Sequence, residues 1–93
     1  MIYGILYNQS VVKDDLPKIS HIMKKRIKNA IEKKLATKPE LFGKPLRRSL
    51  AGYRKLRIGD WRVIFKIEKE EVKILAIQHR SMVYKHVEKR IYN

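Results

Sequence analysis

Apolar residues recur at spacings of three and four from Leu16 through Ile19, Met23, Ile27, Ala30 and Ile31 to Leu35. That stripe predicts one amphipathic helix over about 19–36. Lys24, Lys25, Arg26, Lys28, Lys33 and Lys34 fill its flanks and outer face. Lys38-Pro39 ends it, because the residue before proline is pushed out of the helical region. Upstream, IYGILY over 2–7 is rich in β-formers and predicts a first strand. Asn8 to Ser10 offers helix N-caps, so a short helix over about 10–15 follows, broken by Pro17. Residues 38–52 hold prolines and glycines and read as a loop.

The second half has a different period. From Tyr53 to Ile58 the side chains alternate, with Arg54, Leu56 and Ile58 on one side and Tyr53, Lys55 and Arg57 on the other. Gly59-Asp60 makes a turn, in the reverse of the usual Asp-Gly order. Trp61 to Ile67 and Val72 to Gln78 are further strands, joined by the polar loop at 68–71. Val83, Val87 and Ile91 lie at helical spacing, so Met82 to Tyr92 is a closing helix. The order β-α-α-β-β-β-α, with short links between strands, predicts an α+β fold. It is a small antiparallel sheet with two N-terminal helices on one face and a C-terminal helix. The stripe from Ile19 to Leu35 is expected to be buried against Leu56, Val63 and Phe65, leaving the other sheet face open and charged.

Composition narrows what such a domain can do. The chain has 93 residues, enough for one domain over 1–93, and its 23 Lys and Arg against 9 Asp and Glu give a net charge of +14. A charge of that size attracts polyanions, and nucleic acid, an anionic membrane surface and an acidic protein are all open at this point. Cysteine is absent, which excludes a disulfide framework, a thiolate zinc site and a cysteine nucleophile, and fits a reducing compartment. No apolar run approaches the ~20 residues that span a bilayer. The opening MIYGILYN lacks the flanks of a signal peptide. There is no glycine-rich phosphate loop, serine elbow or HExxH motif. His21, His79 and His86 are far apart in sequence with no carboxylate cluster, so no metal or other cofactor is expected.

What remains is a set of cations on alternate strand positions. Lys55 and Arg57 should meet Arg62 across a hairpin, and the last strand ends in His79-Arg80. Convergent cations of this kind can hold a phosphodiester and stabilise the extra charge of its transition state. They can equally be a solvated strand face. His79 can assist proton transfer or be structural. Tyr84 can stack on a base or pack in the core. Arg80 has no carboxylate nearby in sequence, and Tyr84 follows it by what would be one helical turn.

The block KLRIGDWRVIF over 55–65 and the block IQHRSMVYK over 77–85 resemble the paired motifs of the RelE/ParE toxin superfamily. The approach Lys44-Pro45-Leu46 to Leu50-Ala51-Gly52 is similar as well. The resemblance spans the whole chain and implies a toxin of a type II toxin–antitoxin system, closer to the RelE branch. Members of that branch are cytoplasmic, ribosome-dependent mRNA endoribonucleases, with no membrane partner. They use the RNA 2′-hydroxyl as nucleophile, without a metal. Carried over by motif, Lys55 would act as base or electrostatic group, and Arg62 would brace the phosphate. Arg80 would stabilise the transition state or protonate the leaving oxygen, and Tyr84 would stack on a base. Tyr53, Arg57, His79 and Lys85 would contact RNA; Tyr53 stands where some members have a second lysine, a role His79 could take in part. An acidic antitoxin, forming a hetero-oligomer with the toxin, and the ribosome with its mRNA are the implied partners. ParE-type relatives instead poison DNA gyrase, and a non-catalytic RNA- or antitoxin-binding module is a third possibility.

Overall fold

The computed structural model describes residues 2–92. Its centre is a five-stranded sheet in the order β1-β5-β4-β3-β2. The strands are β1 (Gly4–Tyr7), β2 (Lys44–Pro45), β3 (Arg54–Ile58), β4 (Trp61–Glu68) and β5 (Glu71–His79). Strands β3 to β5 form the expected antiparallel meander, and the two-residue β2 pairs antiparallel with β3. The first strand differs from the antiparallel reading: β1 lies parallel to β5, with Gly4 opposite Glu71 and Tyr7 opposite Ile74. The chain between β1 and β5 crosses a whole sheet face, which is the long connection that a parallel pair requires.

Helix α1 (His21–Ala30) continues through a wider turn at Ile31–Leu35. Ser20 caps it by accepting from the Met23 amide (3.2 Å). The predicted stripe is where the sequence placed it. Ile19, Ile27, Ile31 and Leu35 are buried, Met23 is half-buried, and all pack in one core with Leu56, Val63 and Phe65. A second, smaller core lies on the opposite face: Val83 and Val87 of α3 (Val83–Tyr92) pack on Ile64, Ala76 and Leu50. That face is therefore not left open as expected; α3 crosses it and leaves cationic margins.

Two local irregularities make this layering possible. Ile64 faces Ala76 while Phe65 faces Ile74, so Leu75 is an extra residue in β5. The bulge flips the alternation, putting Ile74 and Ile77 in the α1 core and Ala76 in the α3 core. The β3–β4 turn is built on Gly59 at φ +59. Glycine in the first central position with positive φ is what a type II′ hairpin needs, which explains the Gly-Asp order.

The predicted loop 38–52 is largely structured. It contains α2 (Pro39–Phe42), β2 and a tight turn at Arg48–Leu50. Gly43 between them lies directly on the fully buried Phe65 ring, so a Cβ there would collide with Phe65 Cζ. Gly43→Ala is expected to destabilise the fold by about 1–3 kcal/mol, as overpacking does. Urea unfolding would measure this, and an unchanged midpoint would show that Phe65 moves freely.

Beyond Ile74 the β1 side of β5 has no strand partner, and the turn at Val11–Asp15 covers it. Asp15, 3% exposed, accepts from the Ile77 amide (2.9 Å) and from Gln78 Nε2 (2.9 Å). It also receives Arg90 Nη2 (2.6 Å) and Nη1 (2.8 Å), and Arg90 Nη1 donates to the Leu75 carbonyl (3.0 Å). Asp15 thereby fastens α3 to the sheet edge. This contact also raises the Arg90 pKa, chiefly through the hydrogen bond to Asp15. Because Gln78 Nε2 donates to Asp15, its Oε1 accepts, so His86 Nδ1 carries the proton in the short bond between them. Ser49 ties down the far end of α3, donating to Glu88 (3.1 Å) and accepting from Tyr92 through its carbonyl.

Candidate nucleic-acid interface

Three pairs of cations stand directly opposite one another on the sheet: Lys44 with Lys55, Arg57 with Arg62, and Lys66 with Lys73. Such pairs are destabilising unless something compensates them. Lys66 and Lys73 are compensated by Glu68, at 3.4 and 2.9 Å. The hydrogen bond from Lys73, then the Lys66 charge, holds the Glu68 carboxyl below its ordinary range, and Lys73 is raised in turn.

Among the described residues, the other two pairs have no such partner. Lys44, Lys55, Arg57 and Arg62 line one cleft of about 340 Å³ together with Lys34, Phe42 and Leu56, and none of these side chains is acidic. The cleft exists because β2 covers only Arg54 and Lys55 of β3, so the strand edge beyond them is uncovered. Lys55 Nζ leaves the cleft on its other side to donate to Tyr84 Oη (3.2 Å), and lies 5.9 Å from the centre of that ring. Tyr84 is 39% exposed at the start of α3. Arg62 turns its Nη1 back onto the carbonyls of Gly59 and Trp61, each at 2.9 Å.

The remaining residues of the sequence reading lie elsewhere. Arg80 does have a carboxylate partner: its Nε is 3.5 Å from Asp60, and its amide donates to the Asp60 carbonyl (2.8 Å). Both side chains are largely exposed, so this pair is worth little and is readily exchanged for another anion. Arg80 also precedes the helix, in the turn closed by Met82 N to His79 O (3.0 Å), so it and Tyr84 are not stacked along one helix. His79 turns away from Lys55, edge-on to Trp61 at 5.8 Å between ring centres, with Nδ1 held by Ser81 Oγ (2.9 Å). Tyr53 packs against the α3 core under Lys66, 5.6 Å from its ring centre. Lys85 is exposed on α3. Lys34, Phe42 and Lys44 were missed as site residues by sequence reading, because a helix flank and an assumed loop gave no sign of meeting β3.

Residues 6–84 match the model for the ParE toxin of type II toxin–antitoxin systems (parDE), and the chain belongs to that family. It is 42% identical over 53 residues to Toxin RelG of Mycobacterium tuberculosis, a match covering 55% of this chain and 61% of that protein. Among solved structures it resembles a chain of the toxin–antitoxin complex RelBE2 from M. tuberculosis: TM-score 0.80, 29% identity, 87% of this chain and 94% of that one. A mutant of E. coli toxin RelE in the free state shares the fold, with TM-score 0.67 at 17% identity over 98% of this chain and 99% of that one.

Proposed function

We propose that this toxin is a ribosome-dependent mRNA endoribonuclease that is held inactive by an acidic antitoxin. The supporting observation is the cleft in which two uncompensated like-charge pairs meet Lys55, itself bonded to Tyr84. A protein keeps such repulsion where a polyanion relieves it. In this reading the RNA 2′-hydroxyl gives its proton to water as its oxygen attacks the adjacent phosphorus, the P–O5′ bond breaks, and the 5′-oxygen takes a proton from water, leaving a 2′,3′-cyclic phosphate and a 5′-hydroxyl. Lys55, Arg57 and Arg62 neutralise the charge that builds on the non-bridging oxygens. Tyr84 offers its ring to a base, and Arg80 exchanges Asp60 for phosphate. His79, Tyr53 and Lys85 lie outside the cleft. The antitoxin reading draws on the toxin–antitoxin complexes among the structural relatives.

The match to the ParE model favours a second reading, inhibition of DNA gyrase. Purified protein added to translating ribosomes separates the two, with message cleavage and gyrase supercoiling measured in parallel. Cleavage by wild type, reduced about 10²-fold by Arg80→Ala, is the expected result. Gyrase inhibition without cleavage would transfer the protein to the second reading.

A further inference from the structure

Phe42 is a large apolar side chain left 41% exposed at the wall of a cationic cleft. Lys34 Nζ lies over its ring at 5.5 Å from the centre. Two residues along the chain, Lys44 pairs with Lys55, so Phe42 and Tyr84 are joined through Lys55, which lines the cleft and bonds to Tyr84. An exposed aromatic ring among phosphate-neutralising cations is the arrangement that binds single-stranded nucleic acid: the ring takes a base, the cations the backbone.

We propose that Phe42 is a second base-stacking platform: a nucleotide neighbouring the one at Tyr84 lays its base on Phe42 while its phosphate sits among Lys34, Lys44 and Arg57. This rests on the RNA reading above. It adds a subsite in which Phe42, Lys34 and Lys44, from outside the two motif blocks, join Arg57 of the first. A protein-docking role suits the ring less well, because five of the six other side chains lining the cleft are cationic, whereas a protein hot spot is ringed by groups that exclude water.

The test uses a fluorescently labelled, fully 2′-O-methylated single-stranded oligoribonucleotide, which binds without being cleaved, and fluorescence anisotropy across a salt series. Phe42→Ala should weaken binding about ten-fold, as loss of one stacked base does. Phe42→Leu, which keeps the apolar packing of α2, should weaken it similarly, and Phe42→Trp should preserve it. The salt slope should be unchanged in all three, since no charge is removed. Lys44→Gln should instead lower the slope by about 0.7. An abasic oligomer should bind wild type and Phe42→Leu more nearly alike. Equal affinity of wild type and Phe42→Leu for the intact oligomer would overturn the proposal while leaving RNA binding in place. If wild type binds no RNA and cleaves no message, the functional reading itself fails.

Discussion

Asp15→Ala is expected to remove about 3–5 kcal/mol of stability, the cost of breaking a buried ion pair by deleting one partner. For a domain of this size that is a fall in Tm on the order of 20 °C. The loss is large because one carboxylate serves three separate needs. It satisfies the Ile77 amide where β5 has run out of strand partner. It orients Gln78, which in turn fixes His86. It also neutralises Arg90, whose side chain is only 15% exposed. Alanine leaves a buried cation and an unpaired edge amide together. Asp15→Asn should cost less, since its carbonyl can still accept from Ile77. Arg90→Met in the Asp15→Ala background should recover part of the loss, because the uncompensated charge is gone. Since pairing raises the Arg90 pKa from an already strongly basic value, that residue's contribution persists across the neutral range and is lost as Arg90 deprotonates in strong alkali. Urea titration of the four proteins measures all of this, and a loss below about 1 kcal/mol for Asp15→Ala would refute the clasp.

That clasp marks the boundary of what the sequence made legible. The stripe from Ile19 to Leu35, the two hairpins and the closing helix were readable because each is written in local periodicity. Asp15 and Arg90 are 75 residues apart and neither breaks a local pattern, so nothing in the sequence joins them. The parallel seating of β1 was hidden for the same reason. The Leu75 bulge was hidden because a continuous apolar run looks the same whichever face each residue takes. At the site, the alternation put Lys55 and Arg57 on one side of β3 to meet Arg62; the register sets Arg57 opposite Arg62, whereas Lys55 lies opposite Ile64. It misjudged Arg80 because Asp60 lies in another turn, and it placed His79 by its position in the motif, whereas the strand's alternation sends it toward Trp61. Phe42 went unnoticed, and Lys44 was read only as part of a motif's approach, because a segment with prolines and glycines was read as structureless, although a short strand within it pairs with β3.

Lys55→Ala should separate stability from activity in opposite directions. Its side chain is half-buried, faces Lys44 and bonds only weakly outward to Tyr84, so removing its charge relieves a repulsion. The variant is therefore expected to unfold at the same or a slightly higher urea concentration than wild type. Cleavage of message on ribosomes should nevertheless fall by about 10³-fold, the upper range for losing one preorganised group that meets developing charge. Lys55 is the group to choose because it both lines the cleft and donates to the Tyr84 hydroxyl. Lys55→Arg should restore only part of the rate: the charge returns, but a planar fork replaces a compact ammonium. Tyr84→Phe keeps the ring and loses the hydroxyl contact, so its effect should be smaller, on the order of ten-fold. Cosedimentation with ribosomes should change little in all three, because most of the basic surface is intact. Wild-type cleavage rates in a folded Lys55→Ala protein would remove Lys55 from the chemistry and leave the cleft as a binding surface alone.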